Sequence, residues 1–353
     1  MTAYARLTPQ NARFTLIAIA IAAVAAVGVT LSPLANRNLE LHGTRSGDVA
    51  LYRAEVDRIH RGEGYYQAAA AELAARNYPT RSVFNWRTPL PVWLVGKLPD
   101  VAWGKAILGV MAIAVLLLAF AALAGEEEKN ASPRPLLLPA GCALVLVGPL
   151  LPIAMGNVFL MPVFWAGTLV ALSVCAYGVD RPGLGVAFGL AAVFFRELAM
   201  PYAVVCMALA WRGGRRGEWR AWLLGMAAWG LFFALHAWQV SRWMPPDAKA
   251  HAHGWIQCGG LGFIIATAQM NAFLIALPQW VTALYLIAAL VGLAGWTSPL
   301  GVRIGMTTCV FLALLALVGQ GFNQYWGVVI APLLCFGVVR FPRSLCDLFQ
   351  AVK

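Results

Sequence analysis

The strongest constraint on this chain is a succession of apolar runs, each about the 20 residues that cross a bilayer. They cover 14–34, 101–124, 136–152, 158–178, 184–210, 221–243, 272–294, 304–320 and 325–340. In lipid the backbone must satisfy its own hydrogen bonds, so such runs fold as helices. Charged residues are only 12% of the chain and hydrophobic ones 61%, whereas a soluble domain is about a quarter charged. The expectation is one all-α polytopic membrane domain over 1–353, not a soluble core with an anchor.

The net charge of +11 sits largely on arginines at the ends of apolar runs. There it sets orientation and meets anionic head groups, which argues against a nucleic-acid partner. Arg6 and Arg13 precede the first run. That run exceeds the 7–15 residues of a signal peptide's apolar region and no A-x-A site follows it, so a retained first helix is expected. Of the seven cysteines, Cys142, Cys175, Cys206, Cys309 and Cys335 fall in apolar runs. Cys346 lies in the tail and Cys258 in an outer segment. This pattern implies small buried hydrophobes rather than a disulfide framework.

The run 184–210 carries Arg196-Glu197 at its middle and Pro201 just after. As one straight helix it would place two charges near the bilayer centre, at about 2.5–3.5 kcal/mol each. Arg181 precedes it, and Arg212, Arg215, Arg216 and Arg220 follow it. If both flanks are cytoplasmic, the positive-inside rule holds throughout. The stretch then reads as a hairpin of two short helices, 184–196 and 198–211, with Arg196 and Glu197 at the apex. Counting it so gives about ten transmembrane or half-spanning helices, with both termini cytoplasmic.

One polar stretch, 35–100, stands apart and is expected to be a large helical first periplasmic loop. Within it, Tyr52, Val56 and Ile59 repeat at helical spacing while Arg53, Asp57, Arg58 and Arg61 take the other face. That predicts an amphipathic helix over 49–62, lying in the membrane interface, with Gly62 and Gly64 as stops. An alanine-rich helix is expected over 66–76, and Asn85 to Pro91 reads as a turn back to the membrane. Asp48 stands where the amphipathic helix begins. Two roles are open to it: an N-cap, or a base beside a cavity in the outer leaflet.

These residues form an order. Gly47-Asp48 and Tyr52 follow the first helix, then Gly62 to Tyr66, then an aromatic-Arg-Thr-Pro-Leu turn at Trp86 to Leu90. A Gly156-Asn157 turn and the charged hairpin apex complete it. Over roughly 10–245 the chain resembles the GT-C superfamily of integral-membrane glycosyltransferases, nearest the bacterial mannosyltransferases that use polyprenyl-phosphate sugars. The resemblance implies a GT-C-like helical bundle in a bacterial inner membrane with its site facing the periplasm. It also implies transfer of a sugar from a polyprenyl-phosphate donor to a lipid or glycan acceptor with inversion. The family's catalytic aspartate, carried to this chain, is Asp48 as general base.

On that reading Arg196 and Arg87 bind the donor phosphate. Glu197 holds Arg196 or a sugar hydroxyl, Tyr52, Tyr66 and Trp86 stack on sugar or prenyl chain, and Asn157 faces the cavity with Asn323 and Gln324. No cofactor is required by these residues; a divalent metal is compatible with the family. His251 and His253 near Asp247 are too sparse for a metal site and read as solvated loop residues, and His42 and His60 as surface residues. Each candidate has a plainer role: Arg196–Glu197 as a structural ion pair, Arg87 as a head-group anchor. Two other functions stay open. A transporter or lipid flippase would use the broken helices but predicts internal symmetry. A non-catalytic membrane subunit could retain the same shape.

Overall fold

The computed structural model describes residues 2–32, 46–250 and 254–353. Within them the protein is helical, with five helices long and apolar enough to cross a membrane: Pro9–Leu31, Val101–Lys129, Leu137–Ala154, Arg216–Trp243 and Pro299–Leu317. The bent pair Gly321–Val329 and Ala331–Val352, which turns by 66°, raises the number to six when taken as one span. Shorter apolar helices cover Pro162–Gly178, Pro182–Phe195 and Gln279–Ala294. The architecture is that of a helical multi-pass membrane protein.

Helix Pro162–Gly178 is the hub. Every residue from Pro162 to Ala176 is buried, as expected of a helix that is apolar all round and enclosed by others. Helices Val101–Lys129 and Pro182–Phe195 pack along it. Helix Pro9–Leu31 lies at the other extreme. Phe14, Ile17, Ile21 and Val24 are exposed, the surface that lipid would cover, and the helix leans on Gln279–Ala294. Helix Gln279–Ala294 in turn packs on Ala331–Val352. That contact runs through glycine: a Cβ on Gly292 would collide with the Gly337 carbonyl, and one on Gly337 with the Ala289 carbonyl. Small residues let two membrane helices approach backbone to backbone.

The expected hairpin is present. Helix Pro182–Phe195 ends at Arg196, whose backbone is extended (φ −156°, ψ 118°), and the chain resumes through Glu197–Ala199 into helix Met200–Arg212. The helices on either side of the hairpin are tied to each other. Tyr177 donates to Glu218 at 2.9 Å and Trp222 donates to Tyr177 at 3.0 Å, while the Arg303 guanidinium lies 3.5 Å over the Tyr177 ring.

Several sequence expectations need correction. The amphipathic helix runs Ser46–His60, so Asp48 lies in its first turn rather than capping it. The apolar face of this helix does not lie in the interface. Tyr52, Val56 and Ile59 are buried because helices Leu90–Lys97 and Tyr65–Ala75 pack on it. The Asn85–Pro91 segment holds more than a turn: a short helix Val83–Trp86, then Leu90–Lys97. A further helix, Gly260–Ala268, occupies the outer segment before 272, and the final helix continues to Val352. Short helices with few periods carry too weak a pattern to be read from composition. Gly62 stops the first loop helix as expected, with φ 103°. All seven cysteines are free; Cys142, Cys175, Cys206 and Cys335 are buried, whereas Cys258, Cys309 and Cys346 are exposed. His42, His251 and His253, expected above as loop and surface residues, lie outside the described residues.

Candidate functional site

A cavity of about 130 Å³ opens between the loop helices and the C-terminal part of the chain. Asp48, Tyr52, Tyr78, Arg87, Trp255 and Phe322 are among its lining residues. Three of the residues singled out from sequence, Asp48, Tyr52 and Arg87, therefore face one space.

Helix Ser46–His60 supplies two of these groups. Asp48 and Tyr52, four residues apart, share one face of it. Tyr78 arrives from the irregular return after helix Tyr65–Ala75, and its hydroxyl donates to Asp48 Oδ1 at 2.7 Å. Burial first, and the Asp48 charge second, push the Tyr78 phenol well above its ordinary value, so it remains a donor that orients the carboxylate.

Arg87 is placed by backbone geometry. It has φ 59° and ψ 165°, a conformation that side-chain-bearing residues rarely adopt. Its neighbours hold it there. Tyr65 donates to the carbonyls of Trp86 and Arg87, Thr88 donates to the Phe195 carbonyl at 2.9 Å, and the Arg87 guanidinium donates to the Phe84 carbonyl. The Arg87 Nε then donates to Tyr52 at 3.2 Å and Nη2 to Tyr325 at 3.5 Å. Burial opposes its charge, but Tyr52, Tyr325, Glu197 and Asp48 outweigh that and hold the guanidinium well above its ordinary value.

The hairpin apex sits behind this wall. Thr88 ties it to the Arg87 turn through the Phe195 carbonyl. Arg196 is 3% exposed, and its Nη1 lies 3.1 Å from Glu197 Oε1. The approach is close but poorly aligned. Arg196 Nε and Nη1 and Glu197 Oε2 are buried without a hydrogen-bond partner among the described residues. Leaving charged groups so is costly, by about 1–3 kcal/mol or more each. Neither residue lines the cavity directly. Their charges nonetheless act on Tyr52 and Arg87 across the intervening wall.

The remaining candidates are placed elsewhere. Trp86 is 1% exposed and its indole donates to the Thr80 carbonyl at 2.8 Å, which makes it an anchor of the turn with no face left for a ligand. Tyr66 bonds His236 Nδ1 at 3.1 Å, away from the cavity lining. Asn157 is exposed at the start of the Val158–Leu160 turn and does not line the cavity. Asn323 is buried, accepting from the Gln320 backbone at 2.9 Å and donating to Tyr325 at 3.5 Å. Among the described residues no group of three His, Cys, Asp or Glu could hold a metal ion. Among the described residues Asp48 is the one acid lining this cavity.

Sequence reasoning missed Tyr78, Tyr325, Trp255 and Phe322. Trp255 and Phe322 come from outer connections and Tyr325 from the start of an apolar run; of that region only Asn323 and Gln324 are expected at a cavity from sequence. One signal was available: Gly321-Phe322-Asn323-Gln324-Tyr325-Trp326 breaks an apolar run with polar and aromatic residues, as cavity-lining backbone in a membrane protein does. No protein-family model matches the chain, and neither a curated protein nor a solved structure matches it.

Proposed function

We propose that the protein is a membrane glycosyltransferase that moves a sugar from a polyprenyl-phosphate donor to a lipid or glycan acceptor. The observation that carries this reading is a carboxylate and a guanidinium facing one aromatic-walled cavity, Asp48 and Arg87. The volume of about 130 Å³ equals about four water molecules at ~30 Å³ each. That is room for a phosphate and a hydroxyl; the rest of each substrate would lie outside it.

Asp48, oriented by Tyr78, takes the proton from the acceptor hydroxyl as its oxygen attacks the anomeric carbon. A new carbon–oxygen bond forms on the face opposite the leaving group, so the centre inverts. The bond from the anomeric carbon to the phosphate oxygen breaks, and the phosphate leaves with the electron pair. Arg87 stabilises the charge growing there, and Arg196 reinforces the positive field. Base catalysis of this kind contributes about 10²–10⁴-fold, and fixed donors aimed at developing charge contribute on the order of 10²–10³-fold each. The unpartnered nitrogens of Arg196 support an anionic ligand near the apex. The proposed setting is about ten crossings or half-crossings in a GT-C-like bundle of a bacterial inner membrane, the cavity facing the periplasm and the arginine-rich ends the cytoplasm.

The test is transfer of labelled sugar from a panel of polyprenyl-phosphate sugars, comparing wild type with Asp48→Asn in matched membranes. Asn preserves shape and accepts the Tyr78 hydrogen bond but cannot take a proton. Turnover in wild type that falls at least 10²-fold in the variant supports the reading. Equal turnover removes Asp48 from the chemistry. The absence of transfer with every donor and acceptor shifts the weight to a transporter or a non-catalytic subunit.

A further inference from the structure

A second cavity, of about 220 Å³, lies at the far end of helix Val101–Lys129 from the Asp48 cavity. It has no part in the proposed transfer. Its walls come from the end of that helix, Gly292 of helix Gln279–Ala294 with the Gly295–Ser298 connection, the final helix and the N-terminal Thr2. The volume equals about seven water molecules at ~30 Å³ each, and its polar groups are arranged unusually.

Arg340 is 6% exposed, and its guanidinium carbon lies 3.8 Å from the centre of the Trp296 ring. Its Nη2 is 3.2 Å from Glu126 Oε2, yet neither Nη2 nor Nε makes a hydrogen bond among the described residues. Glu126 is engaged elsewhere, since Trp296 donates to its Oε1 at 2.7 Å. Ser344, fully buried, and Thr2 each present a hydroxyl without a partner. Arg343 also lines the cavity and is anchored by Glu127, 3.2 Å away. The nearby Asp347 is engaged by the Thr2 backbone N–H at 2.7 Å. Ser298, at the rim, caps helix Pro299–Leu317, so the positive end of a helix dipole adds to the same space. Glycine makes the room: a Cβ on Gly295 would sit 2.6 Å from Ser344 Oγ.

Arg340 and Arg343 are faced by Glu126 and Glu127, but two nitrogens of Arg340 and two hydroxyls without partners among the described residues, beside a helix N-terminus, form a set of donors with too few acceptors. Buried donors are almost always satisfied, and the chemistry that satisfies this set is a tetrahedral oxyanion, which guanidinium and hydroxyl groups bind together. We propose that this cavity binds a phosphate group, either as the free ion or as the headgroup of an anionic lipid.

Thermal unfolding of the full-length protein in nanodiscs tests this. One arm titrates inorganic phosphate into phosphatidylcholine discs at constant ionic strength. The other raises the fraction of phosphatidylglycerol with phosphate absent. Saturable stabilisation in the first arm assigns the free ion, and in the second arm alone the lipid headgroup. Ser344→Ala, which breaks no bond within the protein, is expected to raise the half-saturating concentration about tenfold, the scale of a hydrogen bond to a charged group. Glu126→Gln, which removes the competing acid, is expected to lower it by a similar factor. Arg340→Gln is expected to abolish the effect; if that variant does not fold, the other two still decide. No stabilisation in either arm, or half-saturation unchanged in both Ser344→Ala and Glu126→Gln, overturns the proposal.

Discussion

Glu55 offers the sharpest quantitative test of the packed loop. It lies on helix Ser46–His60 and is 3% exposed. Burial is the main reason its carboxyl is pushed from an ordinary value of 4.5 up to about 8; the neighbouring Glu72 charge adds to it, and Arg87 and Arg76 only partly offset it. The unfolded chain releases this proton near 4.5, while the folded protein keeps it to about 8. Between those values the folded state holds the extra proton, so its stability falls as pH rises through the window. Three and a half pH units at about 1.4 kcal/mol each come to about 5 kcal/mol, an upper figure because the unfolded loop is not fully solvated. Glu55→Gln keeps the shape and never ionises. The expected result is equal stability of wild type and variant at pH 4, and a variant more stable by a few kcal/mol above pH 8. Thermal unfolding from pH 4 to pH 9 in detergent or nanodiscs measures the difference, and other carboxylates cancel between the two proteins. A difference that stays flat across pH would refute the buried, protonated assignment.

Other substitutions probe particular contacts. Gly337→Ala places a methyl against the Ala289 carbonyl; it should destabilise the protein by about 1–3 kcal/mol or more, read as a lower unfolding midpoint. Thr88→Val removes the 2.9 Å bond to the Phe195 carbonyl, at about 1–3 kcal/mol for an unsatisfied buried acceptor. If the hairpin apex is positioned by this bond, transfer should fall further than the loss of folded protein explains. Tyr78→Phe deletes the donor to Asp48 but keeps the ring. Transfer should drop about tenfold through kcat, the scale of a charge-assisted bond, with the folded fraction unchanged by circular dichroism.

Some of this site was legible along the chain. Asp48 and Tyr52 share a helical face because they are four residues apart, and that spacing is written in the sequence. The hairpin was legible because two adjacent charges inside an apolar run cost too much as a straight span, and the chain breaks at Arg196 as that cost requires. Trp86 and Asn157 show the opposite. Trp86 looks like a stacking platform until its indole is found bonded to the Thr80 carbonyl and its ring buried. Asn157, in a turn that resembles a cavity rim, is exposed and away from the lining. Nothing local to either residue distinguishes these outcomes, because both depend on which segment arrives from elsewhere.

The sequence by itself determined that the chain is helical and repeatedly apolar, where the polar loop lies, and where one span must break. Those are consequences of hydrogen bonding and charge in a lipid-like solvent, which act residue by residue. The tertiary structure decided the rest. It chose the loop helices, not the membrane interface, as the cover for the Ser46–His60 face. It joined Asp48 to Tyr78, thirty positions on, and Arg87 to Tyr325, 238 positions away. Such pairings carry no periodic signature, because they are set by how whole helices pack and not by the spacing of residues along one of them.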